Sequence, residues 1–265
     1  MQGTLSPVVD RLDPSVFPWN ALGSGFSQGR SAPDVAFLDI ETSGGKGEVT
    51  RIIEIGILRV SRDGRVRRFE SLIDPEGPVV TTFVHGLEPD DLESAPRFAE
   101  LWPRLAPWLD DAVLISHNAA FERTHLVKEL QRLGGTFGAP VLCTLKLARR
   151  LLPERSGKGA HSLAGLQELY GLEPSGHEAL SDAESLAVVF TRWCATDERV
   201  GQLVEELIDV PEAPWDWPDL PGPGAEPVPR RTERPVVGRG WVRWLLVAAL
   251  LALGIAALWG YGLLQ

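Results

Sequence analysis

The alternation of apolar and polar residues predicts that a sheet opens the folded domain. Residues 35–42 are largely apolar, residues 51–61 are dominated by isoleucine, leucine and valine, and residues 65–73 alternate between polar and apolar. Arg62-Asp63-Gly64 lies between the second and third of these runs and has the composition of a hairpin turn. Three antiparallel strands are therefore expected at the start of the domain.

Helical spacing and short apolar runs predict the remaining elements. Two further buried strands are expected at 112–116 and 141–143, where the apolar runs are short. Helices are expected at 88–92, 97–109, 119–133, 144–152, 162–169 and 179–207. Three consecutive strands followed by helices that alternate with strands are typical of an α/β fold with a mixed sheet.

The composition divides the chain into four predicted parts. Residues 1–33 contain many prolines and glycines and are expected to form a flexible extension, although Phe17 and Trp19 are candidates to dock on the domain. The domain itself is predicted over residues 34–210. Residues 211–240 contain eight prolines and little apolar periodicity, which is typical of a semi-extended linker.

The last part is predicted to be a transmembrane helix, Trp244–Leu264. Its 21 residues carry no charge, and a helix of that length spans the roughly 30 Å apolar core of a bilayer. Arginines concentrate just before the span, so the positive-inside rule places the preceding domain in the cytoplasm. The pattern predicts a single-pass C-terminal anchor, with the lipid bilayer as a partner.

Charge and cysteine content narrow the function classes. The 265-residue chain has a formal net charge of -10, which argues against a broad basic surface that coats nucleic acid. An enzyme whose bound metal ions meet the phosphates remains compatible with this charge. Cys143 and Cys194 are the two cysteines, and their apolar surroundings favour free thiols over a disulfide.

Candidate chemistry begins at the end of the first strand, in Leu38-Asp39-Ile40-Glu41-Thr42. Side chains two residues apart on a strand point to the same face, so Asp39 and Glu41 share one face while Ile40 points to the other. Two neighbouring carboxylates repel each other unless a cation lies between them, and such hard oxygen ligands suit Mg²⁺ or Mn²⁺. The alternative is a strand that simply runs into an acidic surface loop.

Two further segments carry an acid next to a histidine. One is His117-Asn118-Ala119-Ala120-Phe121-Glu122, and the other is His177-Glu178-Ala179-Leu180-Ser181-Asp182. With Asp39-Ile40-Glu41-Thr42, these segments resemble the three motifs of the DEDDh 3′–5′ exonucleases, the family that includes the proofreading epsilon subunit of bacterial DNA polymerase III. The resemblance extends from about residue 34 to about residue 207.

The resemblance implies a fold and a reaction. The expected fold is a ribonuclease H-like mixed five-stranded sheet flanked by helices. The expected reaction is hydrolysis of phosphodiester bonds at the 3′ end of single-stranded nucleic acid, with DNA favoured over RNA and nucleoside monophosphates released. Two Mg²⁺ (or Mn²⁺) ions are expected per site, since two cations assist both the attack of water and the departure of the leaving oxygen.

The resemblance also implies roles for individual residues. Asp39, Glu41, Glu122 and Asp182 are the expected metal ligands, and His177 is the expected general base. The expected substrate-binding residues are Ile40, Thr42, His85, Asn118 and Phe121. His85 has an equally good alternative as a residue that caps its own loop, and His117 is expected to be structural.

Glu122 is the one departure from the family pattern, which has aspartate at this position. The extra methylene moves the carboxylate by roughly one bond length, in a site where about 0.5 Å matters. A catalytically impaired module that binds nucleic-acid ends or a protein partner at a membrane is therefore the competing hypothesis. A replicase proofreading subunit is disfavoured, because a linker and an apolar span follow the domain.

Overall fold

The computed structural model describes residues 12–23, 34–44, 50–211 and 216–230. Five strands form one sheet in these residues: β1 (Asp34–Thr42), β2 (Ile52–Val60), β3 (Val66–Leu72), β4 (Ala112–Ser116) and β5 (Val141–Cys143). The spatial order is β3-β2-β1-β4-β5, with β1 at the centre. β2 runs antiparallel to both of its neighbours, β1 and β3, whereas β4 and β5 run parallel to β1. The predicted mixed five-stranded sheet is confirmed.

Helices cover both faces of the sheet. Their bounds are α1 (Trp19–Gly23), α2 (Thr82–His85), α3 (Pro89–Leu92), α4 (Phe98–Leu109), α5 (Ala120–Arg132), α6 (Thr144–Leu151), α7 (Leu163–Tyr170), α8 (Ala179–Thr196) and α9 (Val200–Leu207). One core cluster joins the sheet to α6, α7, α8 and α9, and a second joins it to α4 and α5. Pro103 and Pro107 both lie inside α4, which nevertheless runs over twelve residues.

β1 shows how alternation assigns side chains to the two faces. Val35 and Phe37 belong to the cluster on the α8 side, and Leu38 and Ile40 belong to the cluster on the α4 and α5 side. This alternation continues to the end of the strand, because successive side chains of a strand point to opposite faces.

The long helix predicted over 179–207 is wrong as a single element. It ends at Thr196, and Asp197 takes an extended backbone conformation (φ −131°, ψ 109°). The Asp197 carboxylate accepts hydrogen bonds from the backbone N–H and the guanidinium of Arg199. A short polar side chain that bonds its own backbone two residues on competes with helix formation, and this starts a new helix at Val200.

The compact unit that contains the sheet extends to Arg230. On its N-terminal side, Phe17 and Trp19 are buried, and Phe17 makes an edge contact with Phe190 at a 5.3 Å centroid separation. On its C-terminal side, residues 216–230, which fall within the predicted linker, pack against α4 and β3. Both segments contribute to the domain although their sequences are rich in proline.

No helix in the described part of the chain is long and apolar enough to cross a membrane. The predicted span Trp244–Leu264 lies outside the described residues.

Candidate active site

The two carboxylates at the end of β1 lie on the face that α8 covers. Asp39 is partly exposed and Glu41 is buried. They continue the alternation of Val35 and Phe37, so the strand itself fixes their common direction. Ile40 lies between them but packs in the opposite core, with 3% of its surface exposed. The predicted substrate-binding role of Ile40 is therefore not available to its side chain.

β2 shapes the site from the neighbouring position in the sheet. Glu54 pairs with Glu41, and the register shifts between Glu41 and Thr42, which pairs with Ile52. Such a bulge bends the strand and redirects the side chains at its end. Glu54 is completely buried, and its charge is among the causes that raise the pKa of Glu41.

Gly56 allows α8 to approach the sheet closely. It pairs with Asp39, and a Cβ atom built at Gly56 would lie 2.1 Å from the backbone nitrogen of Leu180 and 2.3 Å from the carbonyl carbon of Ala179. The first turn of α8 therefore rests directly on the β2 backbone. This contact brings Asp182, in that first turn, towards Asp39 and Glu41.

Asp182 is oriented by residues outside its own helix. Its Oδ1 accepts a hydrogen bond from the hydroxyl of Ser175 and a longer one, 3.4 Å, from Nε2 of Gln167. Burial nevertheless raises the pKa of Asp182 above its ordinary value. Asp182 is thus held close to the β1 acids, and its charge is among the causes that raise the pKa values of Asp39 and Glu41.

Glu122 enters the site from the first turn of α5, which follows directly on β4. A helix N-terminus stabilises a carboxylate, and the backbone N–H of Glu122 itself acts in that direction. Burial and the charge of Glu41 outweigh this effect and raise the pKa of Glu122 to about 8. Its Oε2 is buried without a hydrogen-bond partner in the described part of the chain.

His177 lies on the loop before α8 and faces Glu41. Its Nδ1 is 3.7 Å from Glu41 Oε1, and 62% of its side chain is exposed. Its backbone has a positive φ of 61°, directly after Gly176 at φ 68°. A non-glycine residue in this conformation is uncommon and costs about 1 kcal/mol or more, so the surrounding contacts must hold it there.

The acids of the site interact strongly with one another. Burial raises the pKa of Asp39 well above its ordinary value, and repulsion from Glu122, Asp182 and Glu41 adds to this. The pKa of Glu41 rises to about 8, chiefly through burial and the charge of Glu54. Ligand atoms of Glu41, His177 and Asp182 lie within 4.8 Å of one another, a spacing that suits a shared metal ion. Asp39 and Glu122 lie outside this group of three, although the charge of Glu122 acts on Asp39 and the charge of Glu41 acts on Glu122.

A cavity of about 440 Å³ opens next to these acids, and part of the predicted substrate-binding set lines it. Glu41, Thr42, His85 and Phe121 contribute to its wall, together with Lys128. Phe121 was expected to be one of the substrate-binding residues. It is 39% exposed, so its ring belongs to the wall of the cavity and not to the core.

Hydrogen bonds link His85 in the cavity wall to Leu87 on one side of the ring and, through Thr81, to Thr42 on the other. Its Nδ1 accepts from the backbone N–H of Leu87 (3.1 Å), so its Nε2 carries the proton and donates to Thr81 Oγ1 (3.1 Å). The Thr81 hydroxyl in turn donates to the carbonyl of Thr42 (2.7 Å). Burial, assisted by the charge of Arg230, lowers the pKa of His85 and keeps the ring neutral. His85 therefore caps its own loop and also lines the cavity, and its role in substrate binding stays a prediction.

The remaining motif residues have structural surroundings. Asn118 is exposed at a positive φ of 69°, and its carbonyl accepts from the N–H of Phe121 at the start of α5. His117 donates from Nε2 to the carbonyl of His161 (2.9 Å), and its Nδ1 lies 3.1 Å from the Thr144 hydroxyl. Burial lowers the pKa of His117 to about 4, so it is a neutral residue that ties the β4–α5 turn to α6.

Sequence reasoning missed the residues that position the acids. Ser175 and Gln167 carry no charge and lie outside the motifs, so composition and spacing gave no signal for them. Arg230, which contacts Glu54, lies among prolines far along the chain. A glycine that interrupts the isoleucine-rich β2 was the one available hint, because glycine within a strand often marks a close backbone approach.

The chain belongs to the exonuclease family. A family model described as Exonuclease (RNase_T) matches residues 36–190, which contain the sheet except the first two residues of β1, and all five residues of the acidic cluster with its histidine.

Two relatives are PolC-type DNA polymerases III. The chain is 28% identical to that of Caldanaerobacter subterraneus subsp. tengcongensis over 202 residues, which cover 72% of this chain and 14% of the polymerase. It is 32% identical to that of Thermotoga maritima over 168 residues, covering 62% of this chain and 12% of the polymerase. The chain thus spans about a seventh or less of these much longer proteins.

Solved structures share the fold. Exonuclease X in complex with 5′ overhanging duplex DNA superposes with a TM-score of 0.51 at 23% identity, covering 65% of this chain and 98% of that one. A 3′-exonuclease that recognises the 3′ end of the histone mRNA stem-loop gives a TM-score of 0.54 at 13% identity, covering 75% and 76%. One neighbour is thus bound to DNA, and the other recognises RNA.

Proposed function

We propose that this protein is a divalent-metal-dependent 3′–5′ exonuclease of the DEDDh type. It would hydrolyse the terminal phosphodiester bond of single-stranded nucleic acid, with DNA favoured, and release nucleoside monophosphates. The observation that carries the proposal is the convergence of Asp39, Glu41, Glu122 and Asp182 with His177 from three separate segments of the chain.

The donor set fits two hard divalent cations, Mg²⁺ or Mn²⁺. All four acids offer carboxylate oxygens, which these ions prefer, and one buried oxygen of Glu122 has no protein partner. Raised pKa values of Asp39, Glu41 and Glu122 indicate that the protein alone does not offset their charges. Cations held there would neutralise charge on the phosphate and make water a better nucleophile at neutral pH.

His177 is suited to accept the proton of the attacking water. Its Nδ1 lies 3.7 Å from Glu41 Oε1, and 62% of the side chain is exposed, so water can reach the ring beside the acids. An imidazole changes its protonation near neutral pH with little adjustment of its pKa. As the water oxygen bonds to phosphorus, its proton passes to His177, and the bond from phosphorus to the 3′ oxygen of the preceding nucleotide breaks. That oxygen leaves as a new 3′ hydroxyl after protonation.

The cavity next to the acids is a reasonable size for the terminal nucleotide. At about 440 Å³ it falls within the range of small-ligand pockets. The exposed ring of Phe121 offers a stacking surface for a base, and such stacking tolerates every base. Thr42 and His85, fixed through Thr81, form its polar wall.

Membrane tethering is the second part of the proposal and rests on the sequence. The uncharged run 244–264 has the length of a membrane span, and arginines precede it. The nuclease would then act at the cytoplasmic surface of a bilayer.

The direct test is a nuclease assay on the full-length chain in detergent. Single-stranded DNA and RNA of matched sequence, labelled at the 5′ end, are incubated with Mg²⁺, Mn²⁺ or EDTA. The expected result is a ladder that shortens from the 3′ end in metal and not in EDTA, with DNA cut faster. Asp39→Asn is expected to abolish shortening. A parent chain that produces no ladder, or an Asp39→Asn variant as active as the parent, would refute the nuclease.

The departure at Glu122 supports one competing function, a binding module without catalysis. In that case the parent chain would retain labelled 3′ ends in a metal-dependent mobility shift and leave them uncut. The same samples distinguish the two functions.

A further inference from the structure

Residues Asp216–Arg230, called here the C-terminal strap, run across the domain and end at the candidate active site. The strap begins beside α5, where the N–H of Thr136 donates to the carbonyl of Asp216 (2.8 Å). Trp217 then packs on Trp102 with ring centroids 5.3 Å apart, and Trp102 Nε1 donates to the carbonyl of Pro218 (2.9 Å). The first part of the strap is therefore anchored on α4.

The middle of the strap follows α4. The N–H of Ala225 donates to the carbonyl of Glu100 (2.7 Å), and Arg104 forms an ion pair with Glu226. Glu226 is largely exposed, so solvent screens this ion pair and it contributes little stability.

The end of the strap extends the sheet beyond β3. The N–H of Leu72 donates to the carbonyl of Val228 (2.7 Å), and the N–H of Val228 donates to Ser71 Oγ (3.1 Å). Prolines at 227 and 229 lack N–H donors, which suits residues at the outer edge of a sheet. This pairing fixes the direction in which Arg230 leaves the edge.

Arg230 reaches from this edge into the site. Its Nη1 donates to Glu54 Oε2 (2.9 Å) and to the backbone carbonyl of His177 (3.0 Å), and its Nη2 donates to the backbone carbonyl of His85. Its side chain is 14% exposed. One guanidinium thus joins the buried acid of β2 to the loops that carry the two site histidines.

The chemistry of these contacts suits arginine in particular. A guanidinium is planar and presents five donors, so one residue can serve a carboxylate and two carbonyls at fixed angles. Glu54 is completely buried and would otherwise hold an uncompensated charge. His177 has an uncommon backbone conformation on an exposed loop, where an external hydrogen bond is needed to maintain it.

We infer that Arg230 is a positioning residue of the nuclease, which holds the His177 loop against the sheet from the C-terminal strap. This inference rests on the proposed function, because the role of His177 as general base belongs to it. It also makes the strap part of the functional domain, although its sequence is that of a linker.

The first test measures the loop without any need for activity. Hydrogen exchange of the full-length chain in detergent is compared for the parent, Arg230→Ala and Glu226→Ala. Glu226→Ala is the matched control, because it removes an ion pair of the same strap away from the site. Arg230→Ala is expected to speed exchange in peptides that cover 173–179 and 84–88, and Glu226→Ala is expected to leave both at the parent rate. Equal exchange in all three proteins would overturn the inference.

The second test asks whether this loop position matters for catalysis. Arg230→Ala is expected to lower kcat by about 10- to 100-fold with little change in KM, as loss of a supporting contact typically does. In a His177→Ala background the same change is expected to have little further effect, since both residues act through one group. Arg230→Lys is expected to recover part of kcat.

The outcomes separate the inference from the function on which it rests. An equal kcat loss from Arg230→Ala in both backgrounds would show a role unrelated to His177 and overturn the positioning role. Faster hydrogen exchange of the loop in Arg230→Ala together with an unchanged kcat would also overturn the positioning role. An inactive parent chain would overturn the nuclease and the positioning role together, whereas the exchange rates would still decide whether Arg230 holds the loop.

Discussion

Two glutamates of α5 are one heptad apart, and both are buried, yet their surroundings differ. Glu129 accepts hydrogen bonds from Arg51 through both oxygens (2.8 and 3.1 Å), and its Oε1 also lies 3.3 Å from the backbone nitrogen of Ile52 and 3.2 Å from Arg132. Glu122 has one buried oxygen that meets no donor in the described part of the chain, and its pKa rises to about 8.

The contrast shows that burial alone does not identify a functional acid. A buried charge is costly unless it is paired and hydrogen-bonded, and around Glu129 the protein provides both. Around Glu122 it provides neither in full and places further acids nearby. An arrangement that destabilises the protein on its own is expected where a cation completes it, which is the proposed state of this site.

The largest expected effect separates the two glutamates by activity. Glu122→Gln keeps the shape of the side chain and removes the charge, so kcat with Mg²⁺ is expected to fall at least about 100-fold, or about 3 kcal/mol of barrier. Glu129→Gln is expected to keep most of the activity at a temperature where it stays folded. A steady-state assay of 3′-end release measures both. Equal losses in the two variants would remove the distinction drawn here.

The next largest effect is on stability, where Glu129→Gln is expected to be the more damaging of the two substitutions. Glu129→Gln removes the buried carboxylate that binds Arg51 most closely and leaves Arg51 its longer ion pair with Glu76 (3.5 Å), so it is expected to lower the free energy of unfolding by about 2–4 kcal/mol. Glu122→Gln is expected to cost nothing in EDTA at pH 8, because it removes an uncompensated charge. Urea unfolding followed by tryptophan fluorescence gives both values. A strongly destabilised Glu122→Gln would indicate that Glu122 is a structural acid.

Metal binding sharpens the same comparison. Mg²⁺ or Mn²⁺ at about 100 times its dissociation constant is expected to add about 2.7 kcal/mol to the stability of the parent. Glu129→Gln should show the same gain relative to its own EDTA sample, and Glu122→Gln should show a smaller one. Thermal unfolding across a metal titration measures the gain. If the metal stabilised Glu122→Gln as much as the parent, the metal would bind elsewhere.

The pH dependence of the metal-free protein is a smaller effect. Glu41 and Glu122 have folded-state pKa values of about 8, above their ordinary value of 4.5. The folded protein therefore binds more protons than the unfolded one between these values. The stability that these protons give is complete below about pH 4.5 and is lost as the pH rises through about 8.

In EDTA, the Tm of the parent is thus expected to fall by several degrees from pH 5.5 to pH 8.5. Glu122→Gln mimics the protonated acid, so its Tm should match the parent at pH 5.5 and exceed it at pH 8.5. Glu129→Gln is the control, and its deficit relative to the parent should not shrink as the pH rises. A parent Tm that increases over this range would contradict the raised pKa values.

The smallest effect concerns side-chain length. Glu122→Asp keeps the charge but withdraws it by roughly one bond length, so kcat is expected to fall by about tenfold or less in a site assembled around glutamate. Single-turnover rates at saturating Mn²⁺ measure it. A faster Glu122→Asp variant would mean that the native glutamate limits the enzyme and would favour an impaired module.

The sequence predicted those parts of the site that depend on local periodicity. Asp39 and Glu41 share a face because strands alternate, and all five predicted strands lie close to their expected bounds. The motif resemblance supplied His177, Glu122 and Asp182, which periodicity alone would not have joined. The division of the last long helix at Asp197 was missed, because an aspartate within a helical pattern does not reveal whether it bonds its own backbone.

Contacts between distant segments could not be read from the sequence. Glu129 pairs with Arg51, which lies 78 residues away in the sequence, and Asp182 accepts from Gln167 on α7, at separations that no local pattern encodes. Arg230 lies 176 residues from Glu54 within a proline-rich stretch whose composition indicates a linker. Which buried acids have hydrogen-bonding or charged partners therefore depends on tertiary packing.

Gly56 makes the assembly of this site depend on a hydrogen atom in place of a side chain. A single methyl group there would overlap the α8 backbone, which has no flexible end to move aside. Relief would require the helix to lift from the sheet and carry Asp182 with it. Every carboxylate and the imidazole would keep its chemistry, but they would no longer share one centre, so the smallest possible side-chain addition in β2 would act as an inactivating change.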